Sequence, residues 1–338
     1  MRILIIGAGA IGNVIAVRLA RHDDIFIASK AKKNVVNALN EKGITLLENK
    51  GVYHSFIPVI SDKKNIYPID IVIIACKSYD LLSVIKLNQD ILSQSTAIIL
   101  VQTCLRLNEL PWGELKTKVW ASSIMFGAIG IGSGITIESD PGYLRIGPLF
   151  NQSISIDESK MIKSTMSKVA PTYVIKNISA ALFAKVCTNA VMFPFSIAGG
   201  SKFSSVFSSK ESLNIASLCL MECAKIATAN KIKSRNFFGS YSTSDLLNYK
   251  KARGLIESIV RKYPNVIPST LIDIVRKRQN ELQFFHDDLL EIANSINVEV
   301  PHLEFLVKAT KDLIETTDSF NSKTLNNFLL KIKSQLNS

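Results

Sequence analysis

The chain is poor in the residues that build disulfide-rich or metal-dependent scaffolds, with 5 cysteines and 4 histidines among 338 residues. Five is an odd number, and Cys76, Cys104, Cys187, Cys219 and Cys223 show no disulfide-framework spacing. The first three lie in strongly apolar runs, where reduced core thiols belong. Cys219 and Cys223 stand four apart, close enough to share a helix face, but no His or Cys pair nearby completes a zinc site. His22, His54, His286 and His302 have no metal-ligand spacing with one another. No metal is therefore expected, and a reducing cytoplasm is the expected setting. The first apolar run starts at Arg2 and lacks the long hydrophobic region and cleavage site of a signal peptide.

Acidic residues are also scarce. Asp and Glu number 28 against 40 Lys and Arg, a formal charge of +12. The lysines are scattered, with no long basic segment of the kind that tracks nucleic acid. A basic cleft for an anionic cofactor and an anionic substrate accounts for part of the excess, and no nucleic-acid partner is expected. Internal repeats and low-complexity tracts are absent. At 47% hydrophobic and 20% charged the chain is too apolar for disorder. Its length allows two ordinary domains, each with a core.

What is present begins with alternation. Apolar runs at 2–8, 24–29, 70–76 and 97–103 are separated by helical patterns, which predicts a parallel sheet with crossover helices. After Trp120 the chain turns to small residues and glycine, read as antiparallel strands and turns closing the first domain. Helical patterns then cover 179–198, 209–231, 243–262, 267–295 and 302–315. The expected architecture is α/β, with a dinucleotide-binding domain over 1–177 and an all-helical domain over 178–338. Trp112 and Trp120 read as packing residues.

The opening stretch MRILIIGAGAIGNVIAVRLA carries Gly7, Gly9 and Gly12 in G-x-G-x-x-G spacing. The pattern has meaning here because it follows a strand and opens a helix. Gly7 permits the tight turn, Gly9 lets a pyrophosphate approach the backbone, and Gly12 allows close helix–strand packing. Amides at the helix start face the phosphates. Gly7, Gly9, Ile11 and Gly12 are the expected contacts. At the end of the second strand, where NAD-binding domains place an acid, the chain has Ser29, Lys30, Lys32 and Lys33. Cations there favour a 2′-phosphate, so NADP(H) is expected over NAD(H), with Lys30 as the contact. Lys32 and Lys33 are read equally well as solvated. Lys77 and Gln102-Thr103 follow two further strands and fall at the ends where ligands bind in such sheets; an ordinary strand-end lysine is the plain alternative for Lys77.

The second notable stretch is AALFAKVCTNAVMFPF, 180–195. Out to Gly200 it is long enough to span a bilayer, yet it contains Lys185, Asn189 and Pro194, so it is read as a core helix rather than a membrane span. Lys185, Asn189 and Phe193 recur every four residues and share one helix face. Desolvation would lower the lysine's pKa and make it a proton donor near neutral pH. A lysine snorkelling to the surface is the competing reading.

These features resemble the ketopantoate reductases (2-dehydropantoate 2-reductases) over nearly the whole chain. The resemblance rests on GAGAIG (7–12), ACK (75–77), RIGP (145–148), the K-x-x-x-N of AKVCTNAVMFP (184–194) and STLIDIVRKRQNE (269–281), with a late Val300-Pro301. It implies a Rossmann domain holding NADPH, a helical domain supplying most of the substrate site, and reduction of a 2-oxo acid on the route to pantothenate. It further implies Lys185 as general acid, Glu281 as the glutamate that positions lysine and substrate, Asn189 and Ser269 as substrate contacts, Lys77 near the cofactor and active site, and Lys30 at the 2′-phosphate; Gln102 is expected at the cofactor from its strand-end position alone.

Departures stand beside the matches. The family usually carries Asn-Gly after the fifth strand, where this chain has Gln102-Thr103-Cys104-Leu105, and a second asparagine where it has Phe193. His286-Asp287 replaces a further Asn-Gly. Amide partners for a substrate hydroxyl are thus missing, and each unpaired group would cost about 1–3 kcal/mol. Two alternatives to ketopantoate reduction follow: a same-fold reductase for a more apolar 2-oxo acid or ketone, and an inactive NADPH-binding sensor. Retention of Lys185, Asn189, Ser269 and Glu281 argues against the sensor. The helical domain is the expected surface for a homodimer.

Overall fold

Short, fully apolar runs organise the first part of the chain. The computed structural model describes residues 1–29, 33–60, 68–132, 134–150, 154–232 and 241–336, in two compact units, Met1–Ser179 and Ala180–Ser338.

In the first unit the strands are β1 (Arg2–Ile6), β2 (Asp24–Ala28), β3 (Ile44–Glu48), β4 (Gly51–Ser55), β5 (Val59–Ile60), β6 (Ile71–Ile74), β7 (Ala97–Leu100), β8 (Val119–Ile124), β9 (Gly127–Gly132), β10 (Ile135–Asp140), β11 (Leu144–Pro148) and β12 (Thr172–Val174). Its helices are α1 (Ala10–Leu19), α2 (Lys33–Lys42), α3 (Leu81–Leu87), α4 (Gln89–Gln94) and α5 (Ile156–Ser167). Every residue of β6, β7 and β8 is buried. Strands covered on both faces read as unbroken apolar runs rather than as alternation.

Eight strands form one sheet in the order β12-β11-β8-β7-β6-β1-β2-β5. From β5 to β8 all neighbours are parallel. Numbered by their place in this sheet, those six strands run 3-2-1-4-5-6, the order of a doubly wound dinucleotide-binding fold. The order reverses beside β1, so the crevice at the switch point opens between the ends of β1 and β6. A second sheet, β4-β3-β10-β9, packs on α1. It is tied there by the buried Asn13, whose Nδ2 donates to Thr136 Oγ1 at 3.2 Å.

One expectation is refined here. The segment after Trp120 does contain antiparallel pairs, β8 with β11 and β9 with β10. Yet β8 also runs parallel to β7 in the main sheet, while β9 and β10 leave it for the second sheet. The partners β3 and β4 gave no sequence signal, because their half-exposed faces mix apolar, polar and aromatic residues. Trp112 and Trp120 are fully buried, their indole N–H groups donating to Leu107 O and Glu158 Oε1.

The second unit takes α6 (Ile178–Gly199) across its boundary and continues with α7 (Phe203–Val206), α8 (Lys210–Ala229), α9 (Tyr249–Lys262), α10 (Ser269–Val275), α11 (Gln283–Ser295), α12 (Pro301–Thr316) and α13 (Ser322–Leu336). Among the described helices α6 is the one long and apolar enough to cross a membrane, and most of it is buried within the protein.

The helix expected over 267–295 is two helices. Lys277 adopts a left-handed conformation at φ +52. Arg278 N then bonds to Asp273 O (2.8 Å) and Lys277 N to Ile274 O (2.9 Å), the paired bonds of a Schellman stop. No glycine announces this stop, so periodicity alone ran through it. The break leaves Glu281 in the short link ahead of α11. Helix α13 was also not anticipated; its buried Leu325, Phe328, Leu329 and Ile332 are diluted by Asn, Lys and Ser.

Candidate active site

In the first unit the turn from β1 into α1 is shaped by its glycines. Gly7 has φ +124, and a Cβ there would press on the Ala75 carbonyl at 2.8 Å. A Cβ on Gly12 would overlap the Gly7 carbonyl oxygen. Both are thus required by the protein's own backbone. Gly9 differs: nothing lies within 4 Å of where its Cβ would stand. It caps α1 without a side-chain hydrogen bond, and the first turn holds no acidic residue. The first intrahelical bond there is Asn13 N to Gly9 O (2.9 Å), so the amides of Ala10, Ile11 and Gly12 precede it and lack helical acceptors. An uncapped, positively polarised helix start beside open space fits a diphosphate.

Across the switch point Lys77, partly exposed, follows β6. Gln102 is buried instead, at 3% exposure. Its Nε2 donates to the carbonyls of Ile74 and Cys76, both at 2.9 Å, so it braces the end of β6 and only its unpartnered Oε1 remains for a ligand. Thr103, next in the chain, is partly exposed. Lys30 and Lys32 lie outside the described residues, as does the side chain of Lys33.

In the second unit one stripe of α6 stays partly accessible along the middle of the helix. Lys185, Asn189 and Phe193 are partly accessible, whereas their neighbours Ala184, Val186, Cys187, Thr188, Ala190, Val191 and Met192 are buried. Burial lowers the Lys185 pKa to about 8, and the negative charge of Glu281 acts against that lowering. The site therefore brings together a lysine that titrates near neutrality and the carboxylate that favours its charged form. Ser269 is exposed, at the first residue of α10.

Phe193 belongs to an aromatic group. Its ring meets Phe285 edge-on at 5.8 Å and Phe203 at 6.3 Å. Next to Phe285 stands His286, fully buried, with Nε2 2.9 Å from the Ala190 carbonyl oxygen and no partner for Nδ1. Sequence reading left His286 without a role. A signal was available, since Pro194 sits inside α6 and deprives the carbonyl four residues earlier of its helical donor. Among the described residues no group of three or more His, Cys, Asp or Glu side chains forms a candidate metal site.

A glycine turn of this kind at the switch point of a 3-2-1-4-5-6 sheet places the chain among Rossmann-type dinucleotide-binding enzymes. Comparison with known proteins narrows the class. The ketopantoate reductase PanE/ApbA profile matches residues 3–151, and the ketopantoate reductase PanE/ApbA C-terminal profile matches residues 177–314. The chain belongs to the ketopantoate reductase family, and with it to the NAD(P)H-dependent oxidoreductases that act on CH–OH groups. It is 25% identical over 335 residues to a 2-dehydropantoate 2-reductase of Aquifex aeolicus, covering 96% of this chain and 99% of the relative. A Pyrococcus horikoshii 2-dehydropantoate 2-reductase is 26% identical over 313 residues, covering 91% and 96%. Among solved structures, 2-dehydropantoate 2-reductase from Geobacter metallireducens superposes with a TM-score of 0.79 at 14% identity, covering 92% and 99%. D-mandelate dehydrogenase with NADH and anilino(oxo)acetate superposes at 0.77 with 18% identity, covering 94% and 100%. At such identities the structural likeness speaks for the fold.

Proposed function

We propose that this protein reduces 2-dehydropantoate to pantoate with NADPH, and that Lys185 is the general acid. The observation that carries the reading is the α6 stripe, a partly accessible lysine whose desolvation brings its pKa to about 8 against the pull of Glu281, followed one turn later by Asn189. A bound nicotinamide nucleotide supplies the hydride for C2 of the oxo acid. The Lys185 ammonium donates its proton to the 2-oxygen as negative charge develops there. Glu281 keeps that ammonium charged until then. The Asn189 amide and the Ser269 hydroxyl hold the substrate, and the α1 amides with Gly7, Gly9, Ile11 and Gly12 hold the nucleotide diphosphate, joined by Lys77 and, at the 2′-phosphate, Lys30. Pairing of two copies through the helical unit and a cytoplasmic setting belong to the same proposal.

A second reading is favoured by one observation: Phe193 packs with Phe203 and Phe285 at the end of the stripe where the family usually has an asparagine. An apolar ring there suits a 2-oxo acid without a hydroxyl on its far end. The solved D-mandelate dehydrogenase holds anilino(oxo)acetate, an aryl-bearing oxo acid, on the same fold. NADPH oxidation followed at 340 nm with ketopantoate and with phenylglyoxylate separates the two. Preference for ketopantoate supports the first, preference for phenylglyoxylate supports the second, and turnover of neither overturns both.

A further inference from the structure

Pro194 sits five residues from the end of a 22-residue helix. A proline there has no N–H for the carbonyl of residue 190, and its ring pushes against that same carbonyl. The orphaned acceptor is inside the protein, with Ala190 at 0% exposure, where an unpaired carbonyl is costly. His286 supplies the donor, its Nε2 lying 2.9 Å from Ala190 O. The partner is a carbonyl and can only accept, so Nε2 carries the hydrogen.

Placement adds meaning to this bond. Lys185 and Glu281 face each other electrostatically. Five residues further along each segment, Ala190 meets His286, and Phe285, the residue before His286, meets Phe193 of α6. These contacts form one seam between α6 and the segment that carries Glu281 into α11. Sliding α11 by one residue would break the hydrogen bond and move the carboxylate away from the ammonium. Resting on the reductase reading of Lys185, we propose that His286 is a positioning residue: it replaces the donor that Pro194 removes from α6 and thereby fixes Lys185 against Glu281. Burial supports a single role for the ring. It lowers the His286 pKa to about 4, with Asp287 acting upward and Lys311 downward, so the imidazole stays neutral through the working range.

The test is a cycle of His286→Phe, His286→Gln, Pro194→Ala and the double variant Pro194→Ala/His286→Phe. The full-length protein is read in three ways. Nitrogen NMR of the histidines should show the Nε2–H tautomer of His286, unchanged between pH 6 and 8; an Nδ1–H tautomer overturns the proposal. Turnover of ketopantoate or phenylglyoxylate should fall about tenfold in His286→Phe, mainly in kcat, and recover with the amide donor of His286→Gln. The Lys185 pKa, read from lysine NMR and from the alkaline limb of the rate profile, should drop in His286→Phe as Glu281 loses its register. In the Pro194→Ala background residue 194 has its own N–H, and His286→Phe should then cost little. Equal losses in both backgrounds, or a lower melting temperature with the lysine pKa unmoved, overturn the positioning role. A wild-type protein with no turnover but with the expected tautomer and lysine shifts would sink the reductase reading and leave the His286 seam standing.

Discussion

Glu281 works against the burial of Lys185. Desolvation brings the ammonium down from 10.5 to about 8, and the carboxylate keeps it from falling further. The lysine is thereby held near the middle of the physiological range, still mostly protonated at pH 7, with a proton it can release.

A pH profile follows from that value. On the proposed mechanism reduction needs the protonated lysine, so its rate should hold below pH 8 and fall as pH rises through about 8. The reverse oxidation needs the neutral amine and should rise over the same interval. Glu281→Gln removes the effect that raises the pKa, so the alkaline limb of reduction should move to lower pH. An unmoved limb in this variant would show that another group titrates in catalysis.

Lys185→Met separates function from stability. Loss of the proposed general acid should cost about 10²–10⁴ in turnover, read at 340 nm. The folded-state pKa lies below the unfolded value. Under pH 8 both states are protonated and the fold carries the net cost of the charged form, desolvation less the attraction of Glu281, at most about 3 kcal/mol for a shift of this size. That cost is relieved between pH 8 and 10.5, where only the unfolded chain stays protonated. Below pH 8 the methionine variant should therefore melt higher than wild type. A lower melting temperature would mean that Lys185 supports the fold.

Gly12 and Gly9 should respond differently to alanine. Gly12→Ala drives a methyl into the Gly7 carbonyl and should lower the melting temperature of the nucleotide-free protein. Gly9→Ala meets open space and should leave that temperature unchanged, while raising the NADPH Kd about tenfold or more by standing where the diphosphate approaches. Calorimetric titration beside a thermal melt reads both. Unimpaired binding in Gly9→Ala would place the nucleotide elsewhere.

Legibility in the sequence followed the strength of local signals. All four strands read from apolar runs exist, because burial on both faces leaves continuous patterns in the chain. The α6 stripe was visible because a period of four among buried residues stands out. Gln102 could be located at a strand end, but the sequence does not reveal that its amide turns inward to Ile74 and Cys76. The end of α10 was hidden because a lysine, not a glycine, takes the left-handed position at residue 277. Long-range pairs such as Ala190 with His286 leave only an indirect trace, the proline that makes the pairing necessary.

His286 also predicts acid sensitivity. Its folded pKa of about 4 lies below the ordinary 6.5, so its contribution to stability is complete above pH 6.5. It is lost as pH falls toward 4, because the unfolded chain takes up the proton first. Thermal melts from pH 7.5 to 4.5 should show a loss in wild type that is smaller in His286→Gln. Parallel curves would assign the acid response to other groups.

Glu222 makes a separate prediction about the helical unit. It is 2% exposed. Its carboxylate accepts from Leu303 N at 2.8 Å and His302 N at 3.2 Å, and contacts His302 Nδ1 at 2.6 Å. This caps the start of α12 with negative charge, where the helix dipole favours it. Glu222→Ala leaves those amides buried without an acceptor and should cost about 2–3 kcal/mol in denaturant unfolding. A loss within 0.5 kcal/mol, about the usual scatter for surface changes, would show that water replaces the cap.

Among the described residues the eight-stranded sheet ends on one side in β5, two residues long, and on the other in β12, three residues long. A border this short offers a visiting strand too few backbone groups to zip onto, and natural sheets use short borders against runaway growth. Along β12 copies of this chain are thereby denied the route of extending this sheet from one molecule into the next. Any assembly they form along that border must be built by side chains, one complementary surface at a time.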